Sequence, residues 1–268
     1  MAKRILFINQ ETIPYVPETE LAVMGKKVPQ AIQEKGYEIR TFMPKWGNIN
    51  ERRGQLHEVQ RLSGMNLIIN DTDHPLIIKV ATIVQTRVQV YFIDNDDYFS
   101  KRQMLIDENG ADYSDNSERT IFYARGVLDT VNKMRWAPDI VHCQGWMSAI
   151  VPFYIKTAYR DEPSFANTKV VTSLFAKNMS SNLGPDMKHY MEYKDAKAEL
   201  LKNYNDEFDF DELGRLAIDY SDGIIEADKD VNPELLKYAE DNNKPLLRFA
   251  DEDFADAYEA FYQQLYQE

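Results

Sequence analysis

His142 and Cys143 stand side by side, as a thiol nucleophile and its base would have to be close. They lie in the apolar run "DIVHCQ" (139–144), and neighbouring side chains of a strand point to opposite faces. A core histidine and a buried, inert thiol are therefore expected. The four histidines, His57, His74, His142 and His189, form no i, i+4 pair, and one cysteine builds neither an internal disulfide nor a Cys-rich zinc site. No metal and no cofactor is expected. Phosphate chemistry would need a glycine-rich turn after a strand, where backbone N–H groups can approach the anion. The first strand-to-helix turn, between "RILFIN" and "LAVMGKKV", instead reads Pro17-Glu18-Thr19-Glu20. Proline has no N–H to offer, and the two carboxylates have the wrong sign for an anion. The chain contains no G-x-S-x-G, no P-loop and no G-x-G-x-x-G.

The elements that must position these residues alternate between strand and helix patterns. "RILFIN" (4–9) reads as a buried strand. Leu21, Met24, Val28 and Ile32 then recur at helical spacing, and Gly36 stops the helix. "YEIRTFMP" (37–44) alternates like a second strand. Residues 66–84 read as a hairpin leading into "VQVYFID" (88–94), and 117–134 as an amphipathic helix. After strand 139–144 a helix is expected from about 146 to 159, followed by strands at 168–175 and 223–227. Such a series predicts an α/β fold, a Rossmann-like, mainly parallel sheet with helices on both faces. Working groups then belong on the loops after the carboxyl ends of strands, here 10–20, 143–147 and 173–178. Residues 178–212 are polar and charge-rich and are expected to form a surface helical insertion. Residues 252–268 are expected to form a C-terminal docking helix, with Phe254, Tyr258, Phe261, Tyr262 and Leu265 on one face. The whole chain, 1–268, is expected to be one domain.

Composition narrows the function classes. With 44 acidic against 31 basic residues the formal net charge is −13, which lacks the basic footprint of a nucleic-acid binder. The longest apolar runs are far shorter than the roughly 18–20 residues of a membrane span, and the N-terminal run is too short for a signal segment. A cytoplasmic protein that binds neither nucleic acid nor membrane is expected.

The segment "ILFINQETIPYVPETELAVMGKKVPQAIQEKGYEIRTFMPKWG" resembles the N-terminus of bacterial glycogen synthases and plant starch synthases, glycosyltransferase family five. Their pattern is a strand, S-x-E, a proline, K-T-G-G-L-G-D-V, a helix with L-P, then G-H-x-V-x-V-x-x-P-x-Y. Glu11, Pro14, Leu21, Pro29, Gly36, Pro44 and Gly47 fall in register with it. "VYFIDNDDYFSKRQML", "DYSDNSERTIFYARGVL", "PDIVHCQGWMSAIVPFYIK" and "LAIDYSDGIIEADKDVNPELLKYA" resemble four later family segments, so that the likeness runs over about 3–240. The resemblance implies the N-terminal half of a GT-B enzyme. In the family this half binds the α-1,4-glucan acceptor, and ADP-glucose lies in the cleft against a second Rossmann half. It also implies, as a glucan acceptor face, Tyr15, Asp115, Asn116, Arg119 and Trp146.

The departures fall at the family's active positions. Pro17 stands where the family has lysine, Glu18 where it has threonine, and Thr19 and Glu20 where it has two glycines. Met147 stands at the histidine of D-W-H, and Leu174 and Phe175 replace the last two residues of T-I-H-N. The family's second half, with the cations that steady the leaving diphosphate, lies outside these 268 residues. No catalytic residue is therefore expected here. The expectation is a glycogen-synthase-like domain of glycogen metabolism, a pseudoenzyme that does not catalyse alone and retains α-glucan (glycogen or maltooligosaccharide) binding. Two alternatives stand beside it: a glucosyltransferase half completed by a separate partner chain, and a scaffold without a sugar role. Either a homodimer or a separate partner chain is expected to cover the exposed cleft face.

Overall fold

The computed structural model describes residues 3–251 and 253–267. Ten strands form its sheet: β1 (Arg4–Asn9), β2 (Glu38–Pro44), β3 (His57–Glu58), β4 (Met65–Ile69), β5 (Thr72–Ile83), β6 (Val88–Asp94), β7 (Ile140–Gln144), β8 (Lys169–Leu174), β9 (Gly223–Glu226) and β10 (Leu246–Leu247). Their order is β10-β9-β8-β7-β1-β2-β6-β5-β3, with β4 paired to β5. From β10 to β6 every pairing is parallel, and β5, β3 and β4 add an antiparallel edge. The helices are α1 (Glu20–Glu34), α2 (Glu51–Gly54), α3 (Asn116–Met134), α4 (Val151–Lys156), α5 (Met187–Tyr190), α6 (Phe210–Tyr220), α7 (Pro233–Asp241) and α8 (Phe254–Gln267). The chain thus has the expected α/β fold with a mostly parallel sheet.

Side-chain alternation along β1 divides the core. Leu6 and Ile8 pack with Ile121, Val127, Phe153 and Leu213 of α3, α4 and α6 on one face. Ile5 and Phe7 pack with Leu21, Val28 and Ile32 of α1 and Phe261 and Leu265 of α8 on the other. Each fully buried side chain of this size stabilises by roughly 1.5–3 kcal/mol, so both faces are closed by hydrophobic burial. Among the described residues no helix is long and apolar enough to cross a membrane.

Two expected elements differ from what forms. The helix expected over 146–159 is a 3-10 turn at Trp146–Ser148 followed by α4, which ends at Lys156. Pro152 is the cause: it lacks the N–H a continuous helix would require there, and it sits instead in the first turn of α4. In 178–212 the helical pieces before α6 are single turns, α5 and a 3-10 turn at Ala198–Leu201. Met179, Leu183, Met187, Met191, Leu201 and Phe208 of this segment are buried, so it packs on the body rather than riding on the surface. α8 lies within the range expected for the docking helix, whose outermost positions, Glu252 and Glu268, fall outside the described residues.

One junction sets the position of the loop after β1. Pro29, inside α1, has no N–H to give to the carbonyl of Gly25, four residues earlier. Asn9 at the end of β1 supplies the missing donor, its Nδ2 lying 2.8 Å from Gly25 O. The approach is so close that a Cβ on Gly25 would lie 2.1 Å from the backbone oxygen of Glu11. Neither backbone can yield locally, so Gly25→Ala is expected to cost at least ~2–3 kcal/mol, read as a fall in the urea unfolding midpoint. An unchanged midpoint would refute this account of the junction.

Candidate functional site

The carboxyl ends of β1, β8 and β9 open onto a groove of about 480 Å³ whose lining includes Glu11, Glu20, Phe175, Lys177, Asp228 and Lys229. A second groove of about 390 Å³ shares Thr19 and Glu20 with it and continues past Lys27 to Phe249 and Asp251. Carboxylates dominate this cleft. Glu11, Glu18, Glu20, Asp228, Asp230 and Asp251 line the two grooves together with Lys27, Lys177 and Lys229. Among the described residues no three His, Cys, Asp or Glu side chains are grouped to hold a metal ion.

The turn at 17–20 closes the start of α1 with the chain's own groups. Thr19 is the N-cap: its Oγ1 accepts from Ala22 N at 3.0 Å and donates to Glu11 Oε2 at 2.7 Å. The other Glu11 oxygen accepts from Gln10 Nε2 at 3.0 Å. Glu11 is buried, and Glu20 occupies the first turn of the helix. A helix N-terminus attracts anions through its free N–H groups and its dipole. Here the Thr19 hydroxyl takes one of those N–H groups, that of Ala22, and Glu11 and Glu20 add negative charge beside it, while Pro17 and Glu18 lie exposed.

The other degenerate positions are core. Met147 is fully buried, its Sδ accepting from Thr120 Oγ1 at 3.1 Å and its N–H donating to Gln10 Oε1 at 3.2 Å. Leu174 and Phe175 line a small apolar cavity of about 30 Å³ together with Trp146 and Phe210, room for a water molecule or two. Trp146 is 4% exposed, and its indole N–H has no protein partner among the described residues.

Asp115, Asn116 and Arg119 meet in a network that fastens the segment 97–113 to the start of α3. Asp115 holds Arg102 through two bonds of 2.6 and 2.7 Å. Asn116 donates to Leu105 O and accepts from Arg119 Nη1. The Arg119 guanidinium is inaccessible to solvent, donates to the carbonyls of Tyr98 and Met104, and lies 4.9–5.4 Å from the rings of Tyr113, Trp46 and Phe99. Burial, reinforced by the neighbouring Arg102 charge, lowers its pKa to about 10, so it stays protonated at neutral pH. Its influence on any ligand passes through the backbone it holds. Tyr15 lies apart, lining a groove of about 230 Å³ with Asn48, Asn50 and Arg53. The five sugar-face candidates are thus found in three settings, and each groove described here is lined by at most one of them.

His142 is buried between the sheet and α8, with Nδ1 2.6 Å from Tyr262 Oη and Nε2 2.7 Å from Ser173 Oγ. Burial lowers its pKa to about 3. Cys143, on the opposite face, is buried and its thiol is pushed up by the same cause. At the cleft, sequence reading placed Glu11 and Lys177 within its candidate loops without giving them a role there, and it passed over Asp228 and Lys229. Each stands a few positions beyond the carboxyl end of a parallel strand, and that position was the available signal.

Comparison with known proteins matches this arrangement to a family. A sequence model described as starch synthase catalytic domain matches residues 4–248. A glycogen synthase of Chlorobium limicola is 36% identical over 178 residues, which is 65% of this chain and 36% of that protein. One of Chlorobium chlorochromatii is 34% identical over 188 residues, 70% of this chain and 38% of that protein. The chain thus spans little more than a third of the curated relatives it matches. Among solved structures, the catalytic domain of Starch Synthase IV from Arabidopsis thaliana, bound to ADP and acarbose, superposes with a TM-score of 0.75 at 14% identity, covering 94% of this chain and 52% of that one. That likeness shows the shared fold. With the family match extending over nearly its whole length, this chain belongs to the starch synthase catalytic domain family.

Proposed function

We propose that this domain binds α-glucan, glycogen or a maltooligosaccharide, and that these 268 residues by themselves neither hold the nucleotide-sugar donor nor transfer glucose. The observation that carries the reading is the start of α1, where the Thr19 hydroxyl already takes the Ala22 N–H and Glu11 and Glu20 place negative charge where an anion would have to approach. Membership of the family and the saccharide bound to the starch synthase relative support the glucan half of the proposal. The core positions of Met147, Leu174 and Phe175 support the loss of donor chemistry, since none of them offers a strong polar atom to a reacting sugar. The buried single cysteine is compatible with a cytoplasmic setting.

A second reading is a glucosyltransferase half that works with a separate chain laid over the cleft. Lys177 and Lys229 favour it, because they are exposed cations at the groove that could face a diphosphate once a partner screens the carboxylates. Coverage of the same face by a second copy of the chain, in a scaffold without a sugar role, would leave no saccharide binding at all.

Calorimetry with maltoheptaose and with ADP-glucose separates these readings. Heat of binding is expected with maltoheptaose and none with ADP-glucose. A chain carrying Pro17→Lys, Glu18→Thr, Thr19→Gly and Glu20→Gly together is expected to gain ADP affinity by at least about tenfold, since the self-closing groups are gone and glycine N–H groups are supplied. Binding of ADP-glucose or glucose transfer by the unsubstituted chain alone would overturn the proposal. Sedimentation in the same buffers reports whether a second copy covers the cleft.

A further inference from the structure

α8 lies over the sheet and seals His142 beneath it. The ring of His142, on β7, is bonded to Tyr262 Oη of α8 at 2.6 Å and to Ser173 Oγ of β8 at 2.7 Å. Tyr258 of α8 adds a second cover, its ring centroid 5.9 Å from that of His142 and its hydroxyl bonded to Ser173. Phe7 of β1 stands against the ring at 5.2 Å. Two hydroxyls satisfy a neutral imidazole, which has one donor and one acceptor, and none of these neighbours is a carboxylate that could pair with an imidazolium.

α8 is also an element that can leave with little disturbance. It follows β10, the two-residue strand at the edge of the sheet. Side chains hold it down. Tyr258, Phe261, Tyr262 and Leu265 are buried, and Phe261 and Leu265 sit over Gly223 of β9, where an added Cβ would lie 2.8–2.9 Å from them. Lys35 of α1 holds Asp256 and Glu259 of the helix. The pairing of β7 with β1 and β8 runs through the backbone and survives the departure of α8. α1, on the same face, is tied at Gly25 to Asn9 of β1 and joins two central strands, so it has no such freedom. Once α8 lifts, both tyrosines leave the ring and water reaches it.

We infer that α8 is a proton-linked latch, closed over His142 while the ring is neutral and released when the ring takes up a proton. The closed form does not bind that proton above about pH 3, because burial lowers the His142 pKa to about 3, against about 6.5 for a ring in water. Between these values protons favour the open form alone. From pH 7 to pH 5 the ratio of open to closed forms therefore rises about 25-fold. The groups around the ring do not share this change. Burial raises Tyr258, Tyr262 and Tyr266, which keep their protons, and Lys35 is raised by its bonds to Asp256 and Glu259 and stays charged. Release uncovers Ile5, Phe7, Ile140, Val171 and Ile225, so the latch turns a proton into an exposed apolar face.

Hydrogen exchange of backbone amides, followed by mass spectrometry at pH 7 and pH 5 and corrected for intrinsic rates, tests the latch. The amides of α8 are expected to exchange through an opening that leaves those of β1 and β7 protected, and the open population is expected to rise about 25-fold between the two pH values. In His142→Gln that rise is expected to shrink to less than about threefold. Tyr262→Phe keeps the imidazole and loses one bond, so it is expected to open more at both pH values and to retain the full rise. Exchange of α8 only together with β1 and β7 would overturn the latch, since the helix would then leave only when the whole chain unfolds. An opening of α8 that rises equally in His142→Gln and in the unsubstituted chain would overturn the link to the ring. If His142→Gln does not fold, a rise below about threefold in the unsubstituted chain and in Tyr262→Phe would overturn that link as well.

Discussion

Arg119→Met is expected to lower the stability of the chain by roughly 3–5 kcal/mol, the largest effect of any single substitution in the network around segment 97–113. The estimate is built from the contacts removed. Nε donates to Tyr98 O at 2.8 Å and Nη2 to Met104 O at 2.6 Å, and each carbonyl left without its donor costs about 1–3 kcal/mol. Loss of the cation over Trp46, Phe99 and Tyr113 adds on the order of 1 kcal/mol. Nothing local can replace the guanidinium, since the site is closed to water. Arg119→Lys keeps the charge but not the planar fork, so it is expected to recover less than half of the loss. Urea unfolding measures the stability, and limited proteolysis reads whether cleavage concentrates in 97–113. A loss below about 1 kcal/mol in Arg119→Met would show that the segment is held by other means, such as its close approach to Gly47, where a Cβ would lie 2.0 Å from Arg102 O.

The second large effect is a pH dependence centred on His142. Burial depresses its pKa from 6.5 to about 3 in the folded chain. Between these values the unfolded state binds the proton and the folded state does not, so stability falls as pH drops. The contribution is fully present above about pH 6.5 and declines by about 1.4 kcal/mol per pH unit below it, until the folded pKa is reached. From pH 7.5 to pH 5 the loss attributable to this one ring is about 2 kcal/mol. The neighbouring hydroxyls do not titrate in this window, since burial raises the pKa of both Tyr258 and Tyr262. His142→Gln is expected to unfold more easily at pH 7.5, because the bonds to Tyr262 and Ser173 are disturbed, yet to lose about 2 kcal/mol less than the unsubstituted chain on going to pH 5. Urea midpoints at the two pH values give the difference directly, with all other titrating groups common to both proteins. Parallel pH profiles would mean that water reaches the ring and that the junction between α8 and the sheet is looser than the structure shows.

Most of the architecture was legible in the sequence because it is written in local periodicities. The apolar run 4–9, the spacing of Leu21, Met24, Val28 and Ile32, and the alternation in 37–44 each report burial by one element against one sheet. The ranges of β1 and β2 follow from them within a residue or two, and those of α3 and α8 from their own apolar spacing. The family was legible for a related reason: Glu11, Pro14, Pro29, Gly36 and Pro44 stand at junctions where backbone geometry leaves few alternatives. The break in the helix after Trp146 was also present, in Pro152, but periodicity alone passes over a single missing donor.

The candidate site was legible only as positions. Sequence placed Pro17 to Glu20 at a turn and showed that the turn offers no glycine N–H. Only the folded chain shows that Thr19 joins Ala22 N to the buried carboxylate of Glu11, so that the helix start is capped by the chain's own hydroxyl with a carboxylate behind it. Likewise sequence supplied Asp115, Asn116 and Arg119 as polar groups near a helix start, a pattern equally suited to binding sugar or fastening a loop. Tertiary contacts decided between these uses by surrounding Arg119 with carbonyls and aromatic rings. The grouping of Tyr15 with Asn48, Asn50 and Arg53 spans more than thirty residues and was invisible beforehand. The physical reason is common to all three. Periodicity records which face of an element is buried, whereas the partner of a polar group is set by where distant backbone segments come to rest, and no local pattern encodes that.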